Sequence, residues 1–513
     1  MTMAKKTKED KKPRVKRGKK GEVSSGPPAK IAVAVIEQSL EDFSVSSYER
    51  YGNAVLEDRA IPDYRDGMNP VNRRILWAAH ELGTHSNKPH MKAARIVGDA
   101  MGRFHPHGDS AIYGAMVGMA NNEGKVNNTC HALVDGEGNW GSLSEPGYAA
   151  MRYTEARLSK FADAVLFDKF YLPVMEMVPN YDSKDVEPLT LPALIPLLFL
   201  NGRFGIAPGA TANIPSFDGK TVLKVLEAAY NGEELTPKLL AKTLRVVGTY
   251  GGRETGKNDE HRKALFSTKR GRVELHSESH YDEKKRTLTF TTFAYSSMLK
   301  ALEKIAAFDG VQTVMDDSDT KDRYGKMVVV FKKQADNRLQ RLIEKCKAIM
   351  TARESYVLNF TRRYKDETGQ AAAKMKAMTL PKVLTLWVKW RVSLEKKACA
   401  YWIKQDEKEI HRLSLLIQAV DLIDFIMKIL KDKKLKTNDE VYRVYAKKAK
   451  VEVEDAKYVL GRPIISLRNM SRNDLLADRK KVEKNKSGLE KRMKKPMGYL
   501  IKQLDDFRPF FKD

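Results

Sequence analysis

Cysteine is nearly missing from this chain. Three occur in 513 residues, Cys130, Cys346 and Cys399, and no two stand at a CxxC spacing. That excludes a cysteine-rich zinc cluster and a disulfide framework, and it fits a reducing compartment. Long apolar runs are missing too. The richest stretch, Leu189 to Leu200, is interrupted by prolines and is far shorter than the roughly 18 residues a bilayer span needs. The N-terminus is basic but lacks the apolar segment of a secretory signal. No GxxxxGK[ST] phosphate loop occurs. Acidic residues are under-represented: 66 Asp and Glu stand against 92 Lys and Arg, a formal net charge of +26. Such an excess implies a polyanionic partner, nucleic acid first and an anionic membrane surface second.

What is present is enough for several domains. At 513 residues and 42% hydrophobic content the chain can build more than one core. Residues 1–30 (KKTKEDKKPRVKRGKKGE, then SSGPP) carry too few apolar residues to pack. Two readings fit this basic tail equally, a non-specific DNA arm and a solvated tail. Residues 31–165 are mostly helical. AARIVGDAMGRF (93–104) puts Ala94, Val97 and Met101 on one helical face, and His105-Pro106 ends it. Asp109 or Ser110 is placed to cap the next helix, so a helix-turn-helix is expected here. Residues 166–335 alternate strands and helices, with a hairpin around Asp282 to Lys285. Residues 336–513 read as helical and highly charged. The glycine- and proline-free run from Val383 to Leu430 predicts a coiled-coil arm, with the stretch after Ser471 returning antiparallel. Leu460, Ile464, Ile465 and Leu467 are the expected core of a compact segment between the two.

Several motifs carry chemistry, and each has a bland alternative. GEGNWG (136–141) matches GxGxxG, but a proline-containing segment follows rather than a helix, so a tight turn is the better account. A dinucleotide-dependent oxidoreductase would rest on that motif alone. HPHGD (105–109) suits a metal pair, a phosphate-binding donor pair or an ordinary turn, and the pattern does not choose. RAIPDYRDGMNPVNRR (59–74) brings four arginines into a turn-rich segment, either for phosphate or as a solvated cluster. DDSD (316–319) reads as a polar turn. NGRFGIAPGATANIP (201–215) holds Arg203 and Ile206 among glycines, either a wedge for stacked bases or a buried turn. MRYTEARL (151–158) sets Arg152 beside Tyr153. A phenol has a pKa near 10, so a neighbouring cation is what would activate it.

Taken together these segments resemble the A-type, breakage–reunion subunit of type IIA DNA topoisomerases, as found in bacterial gyrase, in topoisomerase IV and, as the medium subunit, in phage enzymes. SSYERYGNAVLEDRAIPDYRDGMNPVNRR, KAARIVGDAMGRFHPHGDSAIYGAM, LVDGEGNWGS, AAMRYTEARL and NGRFGIAPGATANIP occur in the family's order and spacing. The resemblance runs from about residue 46 to the C-terminus and is densest to 215.

The resemblance implies a mixed α/β multidomain fold. Its parts would be an arm and winged-helix domain (31–165), a tower domain (166–335), and a long antiparallel coiled coil with a helical dimerisation gate (336–513). It implies a two-fold dimer, joined to an ATPase/Toprim partner chain and working on double-stranded DNA in the cytoplasm, a host's cytoplasm if the source is a phage. It implies Mg²⁺ and ATP bound by that partner, with no metal held by this chain. Tyr153 would form a 5′-phosphotyrosine link. Arg152, Arg59, Arg74 and His107 would act on the phosphate. Arg73, His105, Ser110, Arg203 and Lys92 would contact DNA, and Ile206 would wedge into it. Asn69 and Asn72 replace the family's usual lysine and histidine, which leaves the arginine cluster's details open. Gly114 replaces an acidic residue, so weak quinolone sensitivity is expected. The length suits a phage-type subunit that relaxes and decatenates rather than supercoils.

Overall fold

The computed structural model describes residues 39–55, 59–122, 125–126, 130–141, 147–254, 260–294, 298–319, 324–463, 467 and 470–511. The basic tail 1–30, and Ile464 and Ile465 of the expected helical core, lie outside the described residues. The chain divides into two units, Met1–Glu49 and Arg50–Asp513. Of the described part of the first, residues 39–49, all but Ser39 belong to the helix Leu40–Val55. All that follows concerns the second.

The second unit is mixed α/β. Among the described residues its apolar interior falls into one large core, two satellite cores and one small cluster. Helices α1 (Pro70–Glu81), α2 (Ala93–Arg103) and α3 (Asp109–Val117) bury their apolar faces in the large core. The buried stripe of α2 is Ala93, Ile96, Val97 and Ala100. Met101, expected on that face, is exposed because it stands about 100° round the helix from Ala100. The cap of α3 also departs from expectation. Gly108 occupies the N-cap with no side-chain bond, while Asp109 is already inside the first turn.

A small sheet backs these helices. Strands β1 (Met91–Lys92), β2 (Val134–Glu137) and β3 (Glu155–Leu158) are ordered β1-β3-β2, and β2 continues to Ala120–Asn122 and Lys125–Val126. GEGNWG begins in β2 and leaves it at Gly138, which has a positive φ; Trp140 lies buried over Gly136, leaving no space there for a Cβ, and among the described residues none of the motif's glycines lies in a helix.

A seven-stranded antiparallel sheet follows. It includes β4 (Arg203–Ala207), β5 (Ala210–Ile214), Arg270–His276 and β6 (Thr351–Val357). The hairpin expected around Asp282–Lys285 joins Ser279–Asp282 to Thr287–Phe290 in a separate four-stranded sheet with its own core.

Residues 351–377, expected to be helical, are instead three strands: β6, β7 (Asn359–Lys365) and β8 (Ala371–Ala377). Seven consecutive pairs tie β6 to Arg270–His276, and β7 pairs with β8 over their full length. For β6 that distant partner overrides a charged local sequence. Beyond them α4 (Leu380–Asp421) runs for 42 residues, and α5 (Arg472–Lys494) returns beside it. The bridges Asp421–Arg472, Glu407–Lys486 and Glu395–Arg492 fix the antiparallel sense. The expected helical run breaks at Leu422 without glycine or proline. The helices between α4 and α5 bury Ile426, Tyr445, Val459 and Leu467, with Leu460 packed at the edge. Helix α6 (Pro496–Phe507) returns to the large core through Leu500 and Leu504.

Candidate nucleic-acid cleavage site

The turn that carries Tyr153 is fastened to the start of α2. A helix leaves its first backbone N–H groups without internal partners. Here the N–H of Ala93 donates to the Thr154 carbonyl at 2.9 Å, and that of Ala94 to the Met151 carbonyl at 3.3 Å. Tyr113, from α3, locks the other side. Its hydroxyl donates to the Ala149 carbonyl at 2.9 Å and lies 2.8 Å from Thr154 Oγ1. Held between these anchors, Tyr153 projects outward, 68% exposed. The Arg152 guanidinium lies 4.6 Å from its ring centroid. A cation fixed there attracts phosphate. Lys92, exposed, pairs in register with Glu155 at the same end of α2. The latch role of Tyr113 was invisible in the sequence, because its partners lie 36 and 41 residues away.

The second group gathers past the other end of α2. His105 is buried, and its Nδ1 lies 3.0 Å from Arg74 Nη1. Arginine can only donate, so Nδ1 accepts and the ring is neutral. Burial, then the charges of Arg74, His107 and Arg59, push its pKa down to about 3. The rings of His105 and exposed His107 stack at 4.4 Å. Arg74 grips Glu187 through Nε and Nη2, both at 2.6 Å, and so serves as an anchored charge that orients His105. Arg59 is exposed beside this group, and Ser110 is exposed in the first turn of α3.

Two of the residues expected to contact DNA are engaged within the protein. Arg73 is buried and ion-paired with Asp66 at 2.6 Å, with a further bond to the Met68 carbonyl. It is a strut holding the 66–68 turn, because adjacent helical residues face about 100° apart and only Arg74 turns toward the histidines. Arg203 is largely enclosed, and burial lowers its pKa to about 10. With the Asn72 amide oriented to satisfy its neighbours, its oxygen accepts from Arg203 Nη2 at 2.8 Å and its nitrogen donates to Asn69 Oδ1 at 2.7 Å. Asn69 in turn donates to the Arg59 carbonyl at 3.2 Å. The two asparagines thus tie the Arg59 segment to the base of the β4–β5 hairpin.

That hairpin presents Ile206 and Phe204 on one face, each 64% exposed. Its other face is pressed flat: a Cβ on Gly205 would lie 2.1 Å from the Ala60 carbonyl oxygen. Phe204 is a second candidate wedge that sequence reasoning missed, although the alternation with Ile206 was there to find it.

The two side-chain groups do not meet in one copy. Tyr153 and Arg152 stand at the start of α2, and the histidines follow its end. An 11-residue helix separates them by about 16 Å. Among the described residues no hydrogen bond joins Tyr153 to Arg59, Arg74, His105 or His107. Also among the described residues, no group of three or more His, Cys, Asp or Glu is placed to hold a metal ion, and no helix is long and apolar enough to cross a membrane.

Residues 59–505 match the family of the DNA gyrase/topoisomerase IV A-type subunit. The A-type gyrase subunit of Kosmotoga olearia is 32% identical over 411 residues, covering 78% of this chain and 48% of the relative. That of Halalkalibacterium halodurans is 31% identical over 459 residues, covering 87% and 53%. The chloroplastic/mitochondrial A-type gyrase subunit of Nicotiana benthamiana is 28% identical over 477 residues, covering 89% and 48%. The chain spans about half the length of these curated relatives.

Proposed function

This chain belongs to the family of DNA gyrase/topoisomerase IV A-type subunits, and from that membership we propose that it cuts and rejoins double-stranded DNA as the breakage–reunion component of a type IIA topoisomerase. The Tyr153 hydroxyl attacks a backbone phosphorus and loses its proton. The 3′ oxygen leaves and takes up a proton, and the 5′ phosphate stays on the tyrosine. One phosphodiester replaces another, so rejoining is the same step reversed. The observation that carries this reading is Tyr153 itself, an exposed phenol with a cation on its ring, held on a turn braced by α2 and α3.

The roles are those the family likeness implies, and the placements support them. Arg152 and Arg59 offer exposed positive charge to the phosphate. His107 holds the phosphate or relays the proton, on a platform formed by neutral His105 and Glu187-anchored Arg74. Lys92 and Ser110 flank the duplex, and Ile206 enters between base pairs, with Phe204 beside it. A winged-helix unit, a tower and a helical gate at the far end of the α4–α5 pair make up the architecture of this reading. A partner chain contributes Mg²⁺, which neutralises phosphate charge, and ATP, which drives ordered passage. Relaxation and decatenation are the outcomes proposed, and net negative supercoiling of a relaxed plasmid by the reconstituted enzyme would count against them.

The separation along α2 adds a feature. Each cutting site is completed by two copies, the tyrosine of one meeting the histidine–arginine group of the other. Mixed dimers test this directly. A Tyr153→Phe copy paired with a His107→Ala copy keeps one intact site only if the site is shared. The expected product, with the ATPase/Toprim partner present, is plasmid nicked in one strand and covalently joined to protein. A mixed dimer without adducts refutes the shared site, and adducts from Tyr153→Phe homodimers refute the nucleophile.

A further inference from the structure

Strand β4 has an inner face as well as the outer one that carries the wedge. Phe204 and Ile206 point outward, and Arg203, Gly205 and Ala207 alternate to the other side. All three meet the chain around Arg59. Gly205 lies so close to the Ala60 carbonyl that no Cβ fits between them. Ala207 joins Ala60, Ile61 and Ala212 in a small apolar cluster. Arg203 reaches Arg59 by a relay of hydrogen bonds. Its Nη1 and Nη2 donate to the Asn72 side-chain oxygen at 3.2 and 2.8 Å, and the Asn72 nitrogen donates to Asn69 Oδ1 at 2.7 Å. The Asn69 nitrogen then donates to the Arg59 carbonyl at 3.2 Å.

Three features distinguish the relay from ordinary packing. Every donor points the same way, from a cation at one end to a backbone carbonyl at the other, so each bond polarises the next. Asn69 is the N-cap of α1, a position where asparagine usually bonds the helix, yet its side chain makes no capping bond and is turned toward Arg59 instead. Arg203 has no carboxylate of its own among the described residues. Asp66, whose charge reaches it, is already bonded to Arg73 Nε at 2.6 Å and to the Leu191 N–H at 3.0 Å. Arg203 Nε is buried with no hydrogen-bond partner. An enclosed cation held only by a neutral acceptor costs stability, and a packing rule broken in this way is expected where a residue serves function. The Arg59 side chain is exposed, and its backbone is what fixes where its charge stands.

We propose that Arg203 is a positioning residue for strand cleavage, which couples the seating of the Ile206 wedge to the placement of Arg59 in the same copy through Asn72 and Asn69. This role rests on the cleavage reading above. Intercalation at Ile206 presses on the strand whose inner face starts the relay. The contacts at Gly205 and Ala207 hold strand and segment together, and the relay sets the Arg59 backbone and with it the guanidinium offered to the phosphate. Arg59 stands at the phosphate only where the duplex is wedged open, and cleavage is thereby confined to bent DNA.

The test is single-turnover cleavage by the full chain with its ATPase/Toprim partner at saturating DNA, measured beside the affinity for the same duplex and the melting temperature. Arg203→Met and Asn72→Asp both cut the relay. The second gives Arg203 a carboxylate to pair with, which secures the fold, but that group cannot donate to Asn69; it decides the matter where Arg203→Met fails to fold. Each variant is expected to slow covalent-adduct formation roughly ten- to hundredfold with affinity unchanged. Arg203→Lys, which keeps the charge and a donor, should retain most of the wild-type rate. In an Arg59→Ala background neither variant should slow cleavage further, a non-additivity that a packing role would not produce. Wild-type rates in the relay variants overturn the proposal, and so does full additivity with Arg59→Ala. Weakened affinity with an unchanged rate at saturation also overturns it and makes Arg203 a direct DNA contact. A wild type that forms no adduct sinks the cleavage reading itself, and the relay with it.

Discussion

Glu395 is the most consequential carboxylate in the core, and its removal has a calculable effect. It lies on α4, fully buried, one turn from Arg391, which is also fully buried. Arg492 of α5 donates to its Oε1, and the Tyr171 hydroxyl donates to its Oε2 at 2.8 Å. Arg391 Nη2 reaches both Tyr171 Oη and Gln503 Oε1 of α6 at 2.7 Å. One carboxylate therefore neutralises two arginines and sits at the centre of a network that joins four segments of chain. Glu395→Ala leaves Arg391 in the interior with only neutral acceptors. Breaking a buried pair in this way costs about 3–5 kcal/mol. Urea unfolding followed at Trp402, which packs on Phe170 beside this network, should show a lower midpoint with an unchanged slope. Adding Arg391→Met should recover much of the loss, because the stranded charge is then gone. The pH dependence has a definite sign. Burial opposes ionisation of Glu395, but the Arg492 hydrogen bond and the charges of Arg391 and Arg492 outweigh it and hold the pKa below the ordinary value. The stabilisation is therefore complete above the ordinary carboxylate range near pH 4.3 and is lost as pH falls through the lowered value. A Glu395→Ala variant losing less than about 1 kcal/mol would refute this account.

Four further outcomes are expected. His105 is held neutral with a pKa of about 3, so its contribution is present above pH 6.5 and drains away as pH falls toward 3; His105→Asn should flatten the decline of urea midpoint between pH 6 and pH 4, and an unchanged decline would contradict the assignment. Gly205→Ala drives a Cβ to 2.1 Å from the Ala60 carbonyl oxygen, where neither backbone yields cheaply; a stability loss of about 1–3 kcal/mol and weaker DNA bending by fluorescence transfer should result, and wild-type values of both would show the hairpin is not clamped. Gly114 is a helical glycine whose added Cβ would meet only the Tyr148 hydroxyl at 3.8 Å, so Gly114→Ala should stabilise by about 0.5–1 kcal/mol. Wild-type chain should also give little quinolone-stimulated cleavage, and bacterial-like potency would discard that expectation.

Periodicity alone located α2, α3, the 282–285 hairpin and the long α4 with its antiparallel return, because each is set by neighbours within a turn or two. The segments surrounding Tyr153 and Ile206 are unremarkable by composition, and only their order and spacing, which resemble the family's, single them out. What could not be read is whatever depends on a distant partner. Residues 351–377 look helical from their charge, yet they are strands because Arg270–His276 and the ribbon itself offer edges to pair with. Arg73 and Arg74 are neighbours in the sequence, but Asp66 claims the first and Glu187, 113 residues away, holds the second. The distance between Tyr153 and the histidines is likewise a tertiary result. The sequence names both side-chain groups of the proposed site, and only the length of α2, with the turn fastened at one end and His105 past the other, decides that they stand apart.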